Sequence, residues 1–208
     1  MKLYFALIAL FASMMASAAP IAGLYNTGAG LTGGDSDLNW QVVEPSQNAS
    51  VLNDIVIPDV WLDNNLDSRW IWQNADSTPI GETLTFRISF TIDSEYDLAT
   101  AWINGRWATD NFGLAIIVNG VDTGLENTTQ FTDWTDFVLN SGFQYGLNTI
   151  DFVVEDQGGS AGFRAEFTGS NIELTPEPEP VPEPATWLLM AAGLIGAGIF
   201  NRKRISNR

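Results

Sequence analysis

Apolar and polar residues alternate strictly over the ten positions from Thr83 to Ile92. The apolar positions share one parity, and they are Leu84, Phe86, Ile88, Phe90 and Ile92. Because successive side chains of a β-strand point to opposite faces, this pattern predicts a strand with one buried face.

Weaker alternation recurs along the chain between Leu38 and Leu174 and predicts further short strands. The predicted strands are Leu38–Val43, Arg69–Gln73, Leu98–Ala108, Gly113–Val118, Phe131–Leu139, Leu147–Val154 and Gly162–Leu174. Asn119-Gly120 is the strongest short hairpin signal, since it supplies both left-handed turn positions. No stretch between residues 19 and 175 has convincing helical periodicity. We therefore predict an all-β fold, an antiparallel β-sandwich (jelly roll) of eight or more strands.

Three segments between these strands are predicted to be less regular. The residues from Ile21 to Gly34 and from Pro45 to Asn53 are interpreted as irregular or loop structure. Ile55–Val60 is apolar but contains Pro58, so we expect an edge strand or a bulge there at best.

The N-terminus has the composition of a signal peptide. Lys2 precedes the apolar run from Leu3 to Met15, and Ala16-Ser17-Ala18 has the small-x-small form that signal peptidase cleaves. We predict cleavage after Ala18. The alternative is a retained membrane anchor.

The C-terminus combines three different segments. Thr175–Glu183 is rich in Pro and Glu and predicts an extended spacer. Ala185–Phe200 carries no charge and predicts a transmembrane helix, although a buried core helix is the alternative. Arg202, Lys203 and Arg204 follow as a cytoplasmic membrane-stop cluster.

The predicted organisation has five parts. They are a signal peptide (1–18), an exported β-sandwich (19–175), a Pro/Glu linker (176–184), a transmembrane helix (185–200) and a basic cytoplasmic tail (201–208).

This tail resembles the PEP-CTERM sorting signal of Gram-negative bacteria. The motif residues are Val181, Pro182, Glu183 and Pro184, and the apolar run and basic end follow in the order that the signal has. The resemblance implies that exosortase, a membrane protease, recognises the tail and processes it. The chain would be anchored transiently in the inner membrane with its C-terminus in the cytoplasm, and then reach the cell surface or the extracellular matrix.

Composition restricts the chemistry of the exported part. The sequence has no Cys and no His, which removes thiol nucleophiles, His bases and most zinc ligands. Residues 19–184 hold four arginines and 25 acidic residues, a net charge of −21 (4 − 25). Because nucleic-acid binding needs basic contacts to phosphate, we expect no nucleic-acid partner. With no nucleophile elbow, P-loop or base other than a carboxylate, we also expect no enzyme.

One internal stretch resembles the galactose-binding-like jelly-roll modules of bacterial surface proteins and glycosidases. The stretch is Gly105–Asn111 followed by Ile116–Val121, with a Trp-x-x-Asp-Asn run and an Asn-Gly hairpin. The resemblance implies a jelly roll and places Trp107, Asp110, Asn111 and Asn119 near a loop cluster. With Arg106, these residues form the predicted ligand-binding set, although each Trp is also a natural core residue.

Acidic residues supply a possible cation site. Asp35 and Asp37 lie in a Gly-rich stretch and are the local candidates for a structural calcium, since Ca²⁺ prefers carboxylate and carbonyl oxygens from flexible loops. The alternative is a solvated acidic surface.

Two functional hypotheses remain open. In the first, the sandwich is a carbohydrate-binding module that holds the protein to exopolysaccharide. In the second, the protein is a structural or adhesive matrix protein with no small-molecule site.

Overall fold

The structure, a computed structural model, describes residues 18–176 and is built from antiparallel strands with one short 3₁₀ helix, Asp54–Val56. The strands are β1 (Ala18–Ala19), β2 (Ser36–Val42), β3 (Gln47–Val51), β4 (Ile71–Trp72), β5 (Thr83–Ile92), β6 (Tyr96–Asp110), β7 (Phe112–Val118), β8 (Val121–Asp122), β9 (Thr135–Leu139), β10 (Gly146–Glu155) and β11 (Gly162–Leu174). The prediction of an all-β antiparallel fold is confirmed.

The predicted terminal helices fall outside this range. Residues 1–17 of the predicted signal peptide and the membrane helix at 185–200 therefore stay predictions, as do the boundaries of the linker and the basic tail. Within residues 18–176, no helix is long and apolar enough to span a bilayer.

The strands form one continuous hydrogen-bonded path that begins at β8 and ends at β9. Its order is β8-β7-β10-β5-β2-β3-β4-β11-β6-β9, and β1 pairs with the free side of β11. Aromatic rings join strands that are distant in this order: Trp107 of β6 lies 5.4 Å from Phe152 of β10, and Phe86 of β5 lies 4.9 Å from Phe163 of β11. We call β8, β7, β10, β5 and β2 the front half and β4, β11, β6 and β9 the back half. The core lies between them.

Alternation on the central strands explains which side chains fill this core. In β5 every apolar position of the alternating run is buried. The same holds in β10 for Ile150, Phe152 and Val154. Five tryptophans join them, so aromatic packing supplies much of the buried area that a cysteine-free exported domain needs. These tryptophans are Trp40, Trp61, Trp70, Trp72 and Trp107.

Two segments differ from the sequence expectation. The predicted edge strand at Ile55–Val60 is wrong, because Val56 N donates to Asn53 O (3.0 Å) and closes a 3₁₀ turn there. The predicted loop at Pro45–Asn53 contains β3, in which Ala49 and Val51 are buried. Because β3 is built mostly from small and polar residues, its sequence shows no clear alternation of apolar and polar positions. Contacts with the rest of the fold decide which of its residues are buried.

The two ends of the sandwich are distinct. At one end, which we call the Thr175 end, β1 pairs with Ile172 and Glu173, and Thr175 N donates to Glu95 O (2.8 Å). At the other end, the Asp110 end, β6 passes into β7 and Gly162 begins β11 opposite Asp110. The division of the chain into compact units falls between Thr175 and Pro176.

Candidate functional site

The five residues of the predicted ligand-binding set do not form one site. Asp110 and Asn111 lie at the Asp110 end, whereas Asn119 follows β7 at the opposite end. The seven residues of β7 separate Asn111 from Asn119, which at 3.3 Å per residue is roughly 23 Å. The positions are close in sequence, but a whole strand lies between them.

Trp107 is fully buried and therefore presents no ring to a ligand. Its indole packs edge-on against Phe152 and also against Gly113, where a Cβ would lie 2.3 Å from the ring. The structure thus gives Trp107 the core role that the sequence left as an alternative.

Asn111 and Asn119 use their amides to join loops. Asn111 N donates to Glu155 O (2.9 Å), and its Oδ1 accepts from Gln157 N (2.6 Å). Asn119 Nδ2 donates to Gly142 O and Asn148 Oδ1, each at 2.8 Å. Both side chains are engaged within the protein.

The predicted calcium ligands are held by turns instead of by a common centre. Asp35 Oδ2 accepts from the backbone and hydroxyl of Thr32, and these hydrogen bonds lower the pKa of Asp35. Asp37 is buried and accepts from Gly28 N (2.7 Å) and Asn39 N (3.0 Å). Burial raises the pKa of Asp37 despite these amides. In the part of the chain that the structure describes, no three acidic side chains converge on a metal position.

Arg106 lies elsewhere, on the outer side of the back half. On β6 the residues Ile103, Gly105 and Trp107 point inward, so Trp102, Asn104 and Arg106 point outward. In β9, Asp136 pairs with Arg106 and shares this outer side. We call the surface formed by Trp102, Asn104, Arg106, Trp134 and Asp136 the Trp102 face.

Trp102 differs from the other tryptophans of residues 18–176. It is half-buried and has no place in the core, whereas five others are buried and Trp134 packs against the core from outside. Gly169 of β11 lies beneath its ring, since a Cβ at that position would be 3.4 Å from the indole.

Trp134 is stacked with two guanidinium groups. The Cζ atom of Arg106 lies 4.6 Å from the ring centroid, and that of Arg164 lies 4.9 Å from it. Arg106 also forms a salt bridge with Glu166 (Nη2 to Oε2, 2.6 Å). These contacts fix Arg106 and Trp134 before any ligand arrives, which lowers the entropy cost of binding.

A buried ion pair supports this surface from below. Arg164 Nη2 lies 3.4 Å from Glu166 Oε1, and Glu166 also accepts from Ser68 Oγ (2.5 Å). Burial lowers the pKa of Arg164 to about 10 although Glu166 opposes the shift. Burial alone would raise the pKa of Glu166, but hydrogen bonds from Ser68 and Arg106 and the charges of both arginines lower it.

The front half has a shallow depression of about 320 Å³. It is lined by Tyr25, Leu38 and Arg87, and Tyr25 and Leu38 are exposed by 51% and 79%. Arg87 is occupied by a bidentate pair with Asp151 at 2.6 Å. This depression has no tryptophan with a half-buried side chain, whereas the Trp102 face has Trp102 and Trp134.

Sequence reasoning missed Trp102 and Trp134 as surface residues. The alternation along β6 could have identified Trp102 as a surface residue. It lies an odd number of positions from the inward Ile103 and Trp107 and an even number from Asn104 and Arg106, so it shares the outer side with the latter two. No local pattern identifies Trp134, because it precedes β9 and is placed by its contacts with arginines from two other strands.

Three comparisons with known proteins add to this picture. The model for the PEP-CTERM protein-sorting motif matches residues 180–204. No curated protein is similar to the chain in sequence. Solved structures similar to this chain include the carbohydrate-binding module CBM35 from Paenibacillus barcinonensis (16% identity, TM-score 0.35, 68% of this chain and 96% of that chain). A second is a family 35 carbohydrate-binding module from an environmental isolate (12% identity, TM-score 0.34, 76% of this chain and 94% of that chain).

The sorting motif defines the class of protein. The chain carries a PEP-CTERM motif, which implies an exported protein anchored through its C-terminus before sorting and implies exosortase as the processing enzyme. At TM-scores below 0.5, the two structural likenesses transfer neither a ligand nor residue roles to this chain.

Proposed function

We propose that this protein is an exported surface protein that binds polysaccharide through the Trp102 face. The observation that carries the proposal is Trp102 itself, a half-buried indole outside the core on the same strand face as Asn104 and Arg106.

The chemistry of the Trp102 face suits a sugar chain. The indole of Trp102 would pack against the hydrogen-bearing side of a pyranose ring, and Asn104, Arg106 and Asp136 offer donors and acceptors for hydroxyl groups. From Trp102 to Arg106 the strand advances by roughly 13 Å at 3.3 Å per residue. That length exceeds one sugar ring and favours a polymer over a monosaccharide.

No catalytic role is part of this proposal. The carboxylates of the Trp102 face are Asp136, which is exposed, and Glu166, which two arginines hold in the charged form. A glycosidase needs one carboxylic acid to remain protonated across a cleft from a second carboxylate.

The test is a matched pair of aromatic substitutions. In affinity electrophoresis through gels containing exopolysaccharide extracted from the producing cells, Trp102→Ala should lose retardation. The loss of a central tryptophan contact costs about 2 kcal/mol or more, which is roughly 30-fold in Kd. Tyr25→Ala removes a more exposed aromatic residue from the front half and should leave retardation unchanged.

The same gels separate the two functional hypotheses. Equal retardation of both variants would contradict the assignment of the Trp102 face. No retardation of the unaltered protein, together with cosedimentation with isolated matrix, would instead support the structural or adhesive alternative.

A further inference from the structure

Two buried carboxyl groups lie at the Asp110 end, where the two halves of the sandwich meet. Asp110 ends β6 of the back half, and Asp156 follows β10 of the front half. Asn111 joins these strands, because its N donates to Glu155 O (2.9 Å) and its Oδ1 accepts from Gln157 N (2.6 Å). Asp110 precedes Asn111, and Asp156 lies between the two partners of Asn111, so the two carboxyl groups are neighbours.

Neither carboxyl group has a full set of hydrogen bonds. Asp110 is 6% exposed and Asp156 is 2% exposed. The Oδ1 atom of each is buried without a hydrogen-bond partner, whereas Asp156 Oδ2 accepts from Gly81 N. An ionised carboxylate is costly in such a place, and a second negative charge beside it adds to the cost.

No cation from residues 18–176 compensates this pair. The range has no Lys or His, and each of its four arginines forms a salt bridge with another carboxylate. On the adjoining strand β11, Gly162 pairs with Asp110, and Arg164 two positions further on is bound to Glu166. The other titratable groups on the segments around the Asp110 end are all acidic, and only the last of them is half-buried while the rest are exposed. They are Asp59, Asp63, Asp76, Glu82, Glu126 and Glu155.

These surroundings favour the neutral acid at Asp110. Burial first, and then the charge of Asp156, raise the pKa of Asp110 to about 7, although a hydrogen bond from Trp61 opposes the shift. Because the ordinary value is 3.8, the folded state binds more protons than the unfolded state between these two values. The contribution of Asp110 to stability is therefore fully present below pH 3.8 and is lost as pH rises through about 7.

We propose that Asp110 is a pH-sensitive joint of the sandwich, which holds a proton in the folded domain under mildly acidic conditions and loosens the contact between the two halves when it ionises. The proton removes one of two buried charges and gives the pair an O–H donor for an unpartnered oxygen. Its loss leaves two negative charges together on strands from opposite halves. The joint includes none of the residues of the Trp102 face, so it does not depend on the proposed function.

The test compares the full chain in mild detergent with Asp110→Asn, which has the shape of the neutral acid and does not ionise. Urea unfolding over a series of pH values gives the ratio of their unfolding equilibrium constants. The constant of the unaltered chain relative to that of the variant should rise by up to about tenfold per pH unit and level off above about pH 7. The matched control is Asp59→Asn, at an exposed position of a neighbouring loop, for which the ratio should stay constant.

A second variant tests the contribution of the neighbouring charge. Asp156→Asn leaves burial of Asp110 in place but removes the negative charge beside it. Measured against the double variant Asp110→Asn with Asp156→Asn, the ratio should therefore level off at a lower pH than it does in the unaltered background.

Measurements on the unaltered chain keep the test decisive if a variant fails to fold. The indole of Trp61 donates to Asp110, so the ¹⁵N–¹H signal of its Nε1–H group should shift with a midpoint near pH 7. Amide exchange at Asn111 and Gln157, corrected for the intrinsic effect of pH, should accelerate above that midpoint by a larger factor than exchange in β5.

Three outcomes would overturn the proposal. The first is a ratio of unfolding constants that stays constant or falls as pH rises. The second is a Trp61 signal that does not titrate around neutral pH. The third is a levelling-off that Asp156→Asn leaves at the same pH, which would contradict the coupling of the two carboxyl groups.

Discussion

At the scale of single residues, the most consequential charges are those beneath the Trp102 face. Glu166 accepts from Ser68 Oγ and Arg106 Nε, and it neutralises Arg164, whose side chain is 1% exposed. Arg164 further donates to the carbonyls of Leu62 and Asp63. The network joins the loop before β4 to the sheet surface that presents Arg106.

Glu166→Gln should destabilise the fold strongly. It leaves Arg164 buried without its counter-charge, a change that costs about 3–5 kcal/mol when one member of a buried pair is removed. Urea unfolding followed by tryptophan fluorescence measures the difference. Asp54→Asn breaks the exposed pair with Arg69 and should cost less than about 1 kcal/mol. Equal effects of the two variants would contradict the network.

The stability difference between the unaltered protein and Glu166→Gln should depend on pH, and the lowered pKa of Glu166 fixes the direction of the change. Because the pKa of Glu166 is lowered on folding, its contribution to stability is present above the unfolded value of 4.5 and is lost as pH falls through the folded value. The stability difference between the unaltered protein and Glu166→Gln should therefore shrink on acidification below pH 4.5. A difference that grows there would be inconsistent with the lowered pKa.

At the scale of elements, the β7–β8 hairpin is built as its sequence predicts. Asn119 and Gly120 both have positive φ (50° and 81°), and β8 returns along β7. Asn119 Oδ1 also accepts from Thr149 N (2.9 Å), so the turn is bonded to β10. Asn119 therefore forms the turn and also bonds it to a strand that lies 30 residues further along the chain.

Asn119→Ala should lower stability by about 2 kcal/mol. It removes the left-handed preference of Asn and leaves Thr149 N and Asn148 Oδ1 short of a partner. Asn140→Ala, an exposed position nearby without such bonds, should change stability by less than about 0.5 kcal/mol. Guanidinium unfolding of both variants provides the comparison, and similar midpoints would argue against the role of Asn119.

Elements with strong periodicity were predictable from sequence, and those placed by distant contacts were not. The bounds of β5 agree with the alternation that predicts them, because one face of that strand is apolar throughout. The bounds of β11 also agree, although only Phe163, Ala165 and Phe167 alternate as an apolar face. By contrast, β3 has no apolar alternation and is placed by its pairing with β2 and β4, and the 3₁₀ helix is a short local turn that no apolar period indicates. The predicted ligand-binding set failed for a related reason. Its residues lie within seventeen positions of one another in the sequence, but the strand β7 separates Asn111 from Asn119 in the fold.

At the scale of the whole molecule, the two ends of the described chain lie together. Ala19 pairs with Ile172, and β11 ends nearby at Leu174. The predicted cleavage after Ala18 and the exit toward the sorting motif at 180–204 therefore both lie at the Thr175 end. The Asp110 end is the opposite end of the sandwich.

Sorting should depend on the motif and not on the sandwich. Pro182→Ala with Pro184→Ala is expected to leave a tailed precursor in the inner membrane, which mass spectrometry of fractionated cells would detect. Pro176→Ala, which changes a spacer proline outside the motif, should mature normally. Normal maturation of the double variant would contradict recognition of the motif.

Binding of polysaccharide by the Trp102 face is the central claim, and indole signals report on it most directly. The protein has eight tryptophans, and ¹⁵N–¹H spectra resolve their Nε1–H groups. Titration with exopolysaccharide fragments should shift the signals of Trp102 and Trp134 and leave those of the five buried indoles in place. Unchanged spectra at saturating fragment, or shifts that spare Trp102, would contradict the account.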